Sequence, residues 1–333
     1  MVIRLGIIGF GWVARDYMLP AIDASPGVEL RAVVSPRPED FAGLPDSVAT
    51  YAAAGEMAAR EQLDAVYVAS PNHLHRLHVE LALAAGWHVL CEKPLAADIG
   101  EARRLVEAVT DHPDLVYRTA YDQRHHPAHA VMRDLIADGT LGRITQLRID
   151  YACWLPAGWT TDNWRIDPTR AGGGATIDLA PHGLDLAEFL LDDTLAELTV
   201  YLQHATHDYG VDDGGVLAGR FAGDAVLAHT VGYNRPETLP RRRLEVIGTG
   251  GILLAENTMG QTAGGTLTHY DAATGEASAV SFAPTAPFFH QLASFVAAVR
   301  SPEGPAGNTA PDDLRLAVLL DDALAQNLQP SWP

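Results

Sequence analysis

The sequence predicts a two-part α/β protein, with a doubly wound parallel sheet first and a mostly antiparallel sheet after it. Three observations carry this. Through the first third, short apolar runs alternate with helical patterns, so the strands are joined by crossover helices and run parallel. Those runs are apolar almost without interruption, as strands covered on both faces are. Beyond about Tyr121, runs with period-2 alternation follow one another across glycine-bearing turns, which marks antiparallel strands.

Taken in order, Val2–Ile8 is the first strand and Trp12–Ala24 the first helix. Leu30–Val34 is a strand, Ala52–Gln62 an alanine-rich helix and Ala65–Ala69 a strand. Leu74, Leu77, Leu81 and Ala85 share one face of a helix over Leu74–Ala85. His88–Cys91 is a short strand, Ile99–Val109 a helix and Val116–Ala120 the last strand of the first part. In the second part helices are expected at Pro127–Ala137 and Ala175–Leu190. Strands are expected at Ile144–Tyr151, Glu197–Gln203, Val216–Phe221, Ala225–Tyr233, Arg242–Ile247 and Thr266–Tyr270. Turns such as Ala222-Gly223-Asp224 and Gly248-Thr249-Gly250-Gly251 separate several of them. Pro287–Arg300 and Pro311–Gln326 are closing helices, joined by a Pro/Gly-rich surface connection. The domains are read as 1–122 and 123–333.

With 333 residues, 47% hydrophobic and 20% charged, the chain has material for sizeable cores and is not globally disordered. Lys and Arg number 23 against 42 Asp and Glu, a net charge of −19. That surface repels phosphate backbones and anionic lipid, so no nucleic-acid or membrane partner is expected; a local basic pocket for one small anion is compatible with it. Two cysteines, Cys91 and Cys153, are too few for a disulfide framework and fit a reducing compartment. No run approaches the ~18 uninterrupted apolar residues of a membrane span, and no leader-like segment is visible, so a cytoplasmic location is expected.

Gly9-Phe10-Gly11-Trp12-Val13-Ala14 lies between the first strand and the first helix. There the first glycine permits the tight turn and the second lets a pyrophosphate approach the backbone. The small Ala14 lets helix pack on strand, and the anion sits at the helix's positive end. A dinucleotide is therefore expected at Gly9, Phe10, Gly11, Trp12 and Val13. The next strand runs out through Val33-Val34-Ser35-Pro36-Arg37 with no carboxylate at its tip. Ser35 offers a hydroxyl and Arg37 a planar fork suited to a phosphate, which favours NADP over NAD.

Two more segments reach the same sheet edge, where parallel sheets bind ligands: Ser70-Pro71-Asn72-His73-Leu74-His75 and Cys91-Glu92-Lys93-Pro94. The histidines around His73 have no Cys or carboxylate at ligand spacing, so no metal is expected; His75 is assigned to the cofactor. Further on, the block from Gly172 to Asp185 contains Asp178 and His182 at i and i+4, on one face of a helix. Pro181 between them predicts a kink or a later helix start.

The glycine turn, the Ser70–His75 segment, Cys91-Glu92-Lys93-Pro94-Leu95 and the Gly172–Asp185 block together resemble the Gfo/Idh/MocA oxidoreductases, in that family's order and over nearly the whole chain. The resemblance implies a Rossmann domain, then an α/β domain with an open, largely antiparallel sheet. It implies a nicotinamide held at the strand ends and a sugar-like or cyclitol substrate between the domains. Lys93 matches the family's catalytic lysine, and His182 and Asp178 its histidine and aspartate. The cofactor set extends to Ser70, Pro71, Asn72, Glu92, Lys93 and Arg165, the last in a Trp164-Arg165 pair. The substrate set comprises Lys93, Tyr121, Asp178 and His182. Many members carry Asn-Arg-Arg after the sixth strand, where this chain has Tyr121-Asp122-Gln123-Arg124.

Oxidation of a secondary alcohol removes a hydroxyl proton and a hydride, the latter going to nicotinamide C4. An imidazole titrates near neutrality, so His182 can take the proton in one direction and give it in the other. The Lys93 ammonium suits a developing alkoxide or a hydrogen bond to the carbonyl in reduction, and Asp178 would orient His182; Lys93 and His182 together handle the proton, and the sequence leaves open which of them transfers it. The expected activity is NAD(P)-dependent hydride transfer at a hydroxyl or keto carbon of a sugar, cyclitol or related small molecule. The alternative is an NAD-dependent glycoside hydrolase whose bound dinucleotide runs an oxidation–elimination–reduction cycle. Trp154, Trp159 and Tyr233 are candidates to stack on a sugar ring. An open sheet face exposes apolar surface that a partner covers, so a homodimer or homotetramer through the C-terminal sheet is expected.

Overall fold

A computed structural model of the chain describes residues 2–155, 163–301 and 309–326; Trp159 lies outside them. The chain divides into two compact units, Met1–Tyr121 with Phe288–Arg315 and Asp122–Pro287 with Leu316–Pro333. Residues 288–301 and 309–315, placed with the second part by sequence alone, thus fall with the first. The reason is the apolar face of α8 (Pro287–Arg300): Phe288, Leu292, Phe295, Val296 and Val299 enter one core cluster with Ile3, Leu5 and Ile7.

In the first unit, β1 (Ile3–Ile8) leads through a π-helical turn (Ala14–Met18) into α1 (Leu19–Asp23). β2 (Val28–Val34), β3 (Ala49–Tyr51), α2 (Ala54–Arg60), β4 (Ala65–Val68), α3 (His75–Ala84), β5 (His88–Cys91), α4 (Ile99–Thr110) and β6 (Tyr117–Thr119) follow. The six strands are parallel in the order β3-β2-β1-β4-β5-β6, a doubly wound Rossmann sheet. All four residues of β4 are buried, as the unbroken apolar run required. β3 escapes sequence reading, because three residues carry no periodicity; pairing with β2 alone defines it.

The second unit holds α5 (Pro127–Ala137), β7 (Ile144–Ala152), α6 (Pro168–Ala171), α7 (Ala175–Leu191), β8 (Leu195–Gln203), β9 (Gly214–Phe221) and β10 (Val226–Gly232). β11 (Arg242–Gly248), β12 (Gly251–Glu256), β13 (Thr266–Asp271) and β14 (Ala277–Ala279) complete an eight-stranded sheet, and α9 (Ala310–Ala325) closes the chain. The order is β14-β13-β12-β11-β7-β10-β9-β8, antiparallel except for the central β7–β10 pair. β12 and β14 are additions to the predicted strands. β12 had been hidden by the glycine turn at its start, and β14 is a three-residue edge.

Alternation sets the sheet's two faces. Leu147, Ile149, Leu217, Leu227, Val231, Leu244, Val246 and Leu253 point into the core, which Leu179, Leu184, Leu186 and Leu190 of α7 share. On the other face Tyr201, Val216 and Val226 are exposed.

α7 runs unbroken through Pro181, contrary to the expected kink or late start. Its first turn is tied down from another loop. Asp212 Oδ1 accepts from Gly174 N and Oδ2 from Thr176 N, both at 2.8 Å, while Asp212 O accepts from Ala175 N at 3.0 Å. That satisfies helix-start donors which no cap side chain of its own reaches. Midway, a Cβ on Gly183 would lie 2.3 Å from Nε2 of the fully buried His229, so the helix seats on the sheet only with glycine there.

Gly183→Ala should therefore lower stability by about 1–3 kcal/mol through overpacking. Gly55→Ala in α2, where a Cβ meets nothing within 4 Å, should leave it unchanged or raise it by up to about 1 kcal/mol. Urea unfolding of the two variants checks the opposite signs.

Candidate active site

The site residues of the first unit converge because β1, β2, β4 and β5 are parallel and end at one edge. The glycine turn leaves β1 with Gly9 at φ +95°, where a Cβ would stand 2.6 Å from Ser70 N and 2.7 Å from Ala69 O. Only glycine lets the turn lie against the end of β4. A Cβ on Gly11 would meet nothing within 4 Å, so the chain is bare where the helix begins. This is a cradle that a pyrophosphate fits, with helix amides facing it. Phe10 contributes backbone only: its side chain is 2% exposed and belongs to the core. Val13 packs against the same core, and Trp12 is exposed, edge-on to Tyr17 at 5.7 Å.

At the tip of β2, Ser35 and Arg37 both engage Asp40. The Ser35 hydroxyl donates to Asp40 Oδ2, Arg37 Nε to the same oxygen at 3.1 Å, and an Arg37 terminal nitrogen lies 3.0 Å from Oδ1. Asp40 was missed in the sequence, since a carboxylate three residues past the arginine stands outside the fingerprint.

Past β4, Ser70 and Asn72 are buried, and the Ser70 hydroxyl meets His78 Nδ1 at 2.9 Å. His75 differs from its expected role. It is fully buried, with Nδ1 2.8 Å from Pro94 O and Nε2 2.9 Å from Ser70 O. The neutral ring carries one N–H, so it donates to one of these carbonyls and packs against the other, and neither ring nitrogen is open to a ligand. Burial drives its pKa down to about 4. The Lys93–Pro94 peptide is cis. Glu92 accepts the hydroxyl of fully buried Tyr67 at 2.5 Å, which anchors the residue before Lys93. Tyr121, buried at the end of the unit, stands just past β6.

In the second unit α7 presents His182, 4% exposed. Its Nδ1 lies 3.1 Å from Asp122 Oδ1, and the Tyr151 ring meets it edge-on at 5.6 Å. The carboxylate beside His182 is thus Asp122, from the short 3-10 turn Asp122–His125, and not Asp178. Asp178 instead accepts the Tyr233 hydroxyl at 2.8 Å. The i,i+4 spacing did put both on one helix, but the imidazole turns to the neighbouring turn. Tyr233, 1% exposed, is a buried hydrogen-bond donor and no stacking platform; Trp154 is exposed and packs on His207 at 5.1 Å. One turn beyond His182, buried Asp185 is held by Arg124, at 2.7 Å from Nε and 2.6 Å from a terminal nitrogen. Arg165 lies in the 3-10 turn Trp164–Ile166 with its guanidinium over the Trp164 ring at 4.4 Å. Among the described residues, no three His, Cys, Asp or Glu side chains gather as a metal would need, and no helix is long and apolar enough to cross a membrane.

Residues 3–119 match the family described as "Oxidoreductase family, NAD-binding Rossmann fold", and residues 129–254 the "GFO/IDH/MocA C-terminal domain". The chain is 34% identical to 1,5-anhydro-D-fructose reductase of Ensifer adhaerens, over 80% of this chain and 79% of that one. It is 31% identical to D-xylose 1-dehydrogenase (NADP(+)) 2 of Haloferax volcanii, over 90% of each. Among solved structures it is similar to a 3-ketoreductase from Actinomadura kijaniata in complex with NADP and TDP-benzene, with TM-score 0.82, 25% identity and 98% of each chain covered.

The buried histidines set an acid limit. Burial lowers the pKa of His75 to about 4, of His129 to about 3 and of His229 to about 4, from the usual 6.5. The unfolded chain then binds the protons more readily, so this stabilisation is complete above pH 6.5 and drains as pH falls through the window down to 4. Melting temperatures across that window should fall with decreasing pH, with proton uptake on unfolding. Arg124→Ala, which strands buried Asp185, should cost about 3 kcal/mol in urea unfolding.

Proposed function

The chain belongs to the Gfo/Idh/MocA oxidoreductase family, and on that premise we propose that it transfers a hydride between NAD(P) and a hydroxyl or keto carbon of a sugar- or cyclitol-like ring. The observation that carries the proton chemistry is the buried contact of His182 with Asp122. A carboxylate against one ring nitrogen leaves the other to exchange a proton with substrate and stabilises the imidazolium that forms.

A bound nicotinamide supplies the hydride donor or acceptor. Lys93, set at the end of β5 by the Tyr67–Glu92 and His75–Pro94 contacts, places its ammonium on the substrate oxygen and stabilises negative charge there. His182 takes the hydroxyl proton in oxidation and returns it in reduction, with the Asp122 carboxylate 3.1 Å from its Nδ1. Asp178, steadied by Tyr233, accepts from a neighbouring substrate hydroxyl, and Tyr121 borders the substrate. Ser70, Pro71, Asn72, Glu92 and Arg165 complete the cofactor's surroundings. Similarity to a 1,5-anhydro-D-fructose reductase and a D-xylose 1-dehydrogenase supports a cyclic polyol or aldose as the substrate class.

The outward sheet face supports self-association. Tyr201, Val216 and Thr230 stand in one cross-strand row, with the Arg148–Glu245 and Arg243–Glu245 ion pairs beside it. Apolar and paired-charge surface of this kind suits a second copy of the same face in a homodimer or homotetramer. Sedimentation at micromolar concentration should show the oligomer, and Val216→Asp should shift it toward monomer.

The catalytic reading is tested with both nicotinamide cofactors, oxidised and reduced, against 1,5-anhydro-D-fructose, D-xylose and a panel of polyols, lactones and keto-sugars. Lys93→Ala and His182→Ala should each lower kcat by about 10²–10⁴-fold while leaving dinucleotide affinity close to wild type. Wild-type turnover in both the lysine and the histidine variant would sink the assignment.

A further inference from the structure

The tip of β2 closes on a single carboxylate. Ser35 is 2% exposed, and its amide is fixed to Tyr51 O at 3.1 Å, so its hydroxyl has a set position. Pro38 opens the 3-10 turn Pro38–Phe41, which carries Asp40 back over the strand end. There one carboxylate collects a hydroxyl and two guanidinium nitrogens: Oδ2 accepts from Ser35 Oγ and from Arg37 Nε, and Oδ1 lies against the Arg37 terminal nitrogen. The Asp40 side chain is only 10% exposed, whereas Arg37 is 61% exposed. Arg15, in the π-helical turn that follows the glycine loop, also lies within electrostatic reach of Asp40. A serine hydroxyl with a forked guanidinium is the donor set that receives a phosphate monoester, and a planar carboxylate takes the same donors. The end of β2 is where a doubly wound sheet reads the 2′ position of the adenosine ribose.

We propose that Asp40 is a built-in competitor for the 2′-phosphate of NADP: its carboxylate occupies the Ser35–Arg37 donor set, so NADP enters only by parting Asp40 from Arg37, while NAD leaves the network closed. This rests on the dinucleotide site described above and adds the residue that sets its selectivity. Arg37 alone argues for NADP; Arg37 already neutralised by Asp40 binds both cofactors, with NADP held back. A like-charge approach between the 2′-phosphate and Asp40 is the repulsive element, and the closed network is the state that it destabilises.

The test measures binding rather than turnover. Dissociation constants of NADPH and NADH are taken by fluorescence titration and calorimetry on the full chain, at low and high salt. Asp40→Asn keeps the shape and removes the charge. It should tighten NADPH by roughly tenfold or more and leave NADH nearly unchanged, the gain shrinking at high salt. Asp40→Asn combined with Arg37→Gln should lose that gain. Arg37→Gln alone should weaken NADPH selectively, which keeps the test decisive if the Asp40 variant folds poorly. No change for NADPH in Asp40→Asn overturns the proposal. So does a tenfold loss for NADH, which would make Asp40 the reader of the ribose hydroxyl. Failure of the wild-type chain to bind either dinucleotide overturns the proposal together with the cofactor site. Normal binding shifts without turnover on any sugar would spare it and remove only the substrate reading.

Discussion

Everything at the first unit's edge depends on one close approach: the backbone of Gly9 against the backbone of Ala69 and Ser70. With φ +95° and 2.6 Å of room at the Cβ position, no other residue holds that turn. The approach fixes where the helix after β1 begins, and so where its unpaired amides point. It also fixes the β4 end, because Ser70 O is a partner of His75, and His75 in turn holds Pro94. Lys93 is therefore positioned by a chain of backbone contacts that starts at a glycine on another strand. A conformational demand at one residue is thus converted into placement of a charge at another.

The second unit reaches the same end by different means. Its helix α7 contains a proline and a central glycine and follows three glycines, a poor helix by propensity. Tertiary contacts replace propensity. Asp212 caps the start from another loop, and the imidazole of His229 fills the hollow at Gly183. The Arg124–Asp185 pair ties the end of the 3-10 turn to the helix. That last contact matters most for chemistry, because the turn that Arg124 closes is the turn that delivers Asp122 to His182. A buried ion pair is a weak source of stability; here it sets register between the two elements that carry Asp122 and His182.

What was legible in the sequence follows from range. Strands of β1, β4 and β5 and the helix at Pro127–Ala137 were readable because burial on both faces, or an N-terminal proline, leaves a local pattern. The glycine turn and the lysine were readable because each motif spans a few residues at a strand end. Contacts closed by folding were not readable. Asp122 against His182 joins residues sixty apart; Asp40 on Arg37 is near in sequence but depends on the turn begun by Pro38. His75 read as a ligand because a histidine at a sheet edge resembles one, and only its two carbonyl partners show otherwise. The helix Pro287–Arg300 went astray because an amphipathic helix shows that it has a core-facing side, not which core it faces.

The acidity of the chain bears on how such a site must be built. At a net charge of −19 the protein repels a pyrophosphate at long range. Attraction must then come from fixed local sources: backbone amides at the glycine turn for a pyrophosphate, and the guanidinium at the tip of β2 for a 2′-phosphate. Screening shortens the reach of the unfavourable field to about 8–10 Å at physiological ionic strength, so a few aimed donors outweigh a diffuse excess of carboxylates. Where one of those donors is covered by a neighbouring carboxylate, as Arg37 is by Asp40, the balance at that single position shifts without touching the rest. Selectivity between two cofactors that differ by one phosphate can then be set by one acidic residue on a surface turn, independently of the chemistry at the other end of the dinucleotide.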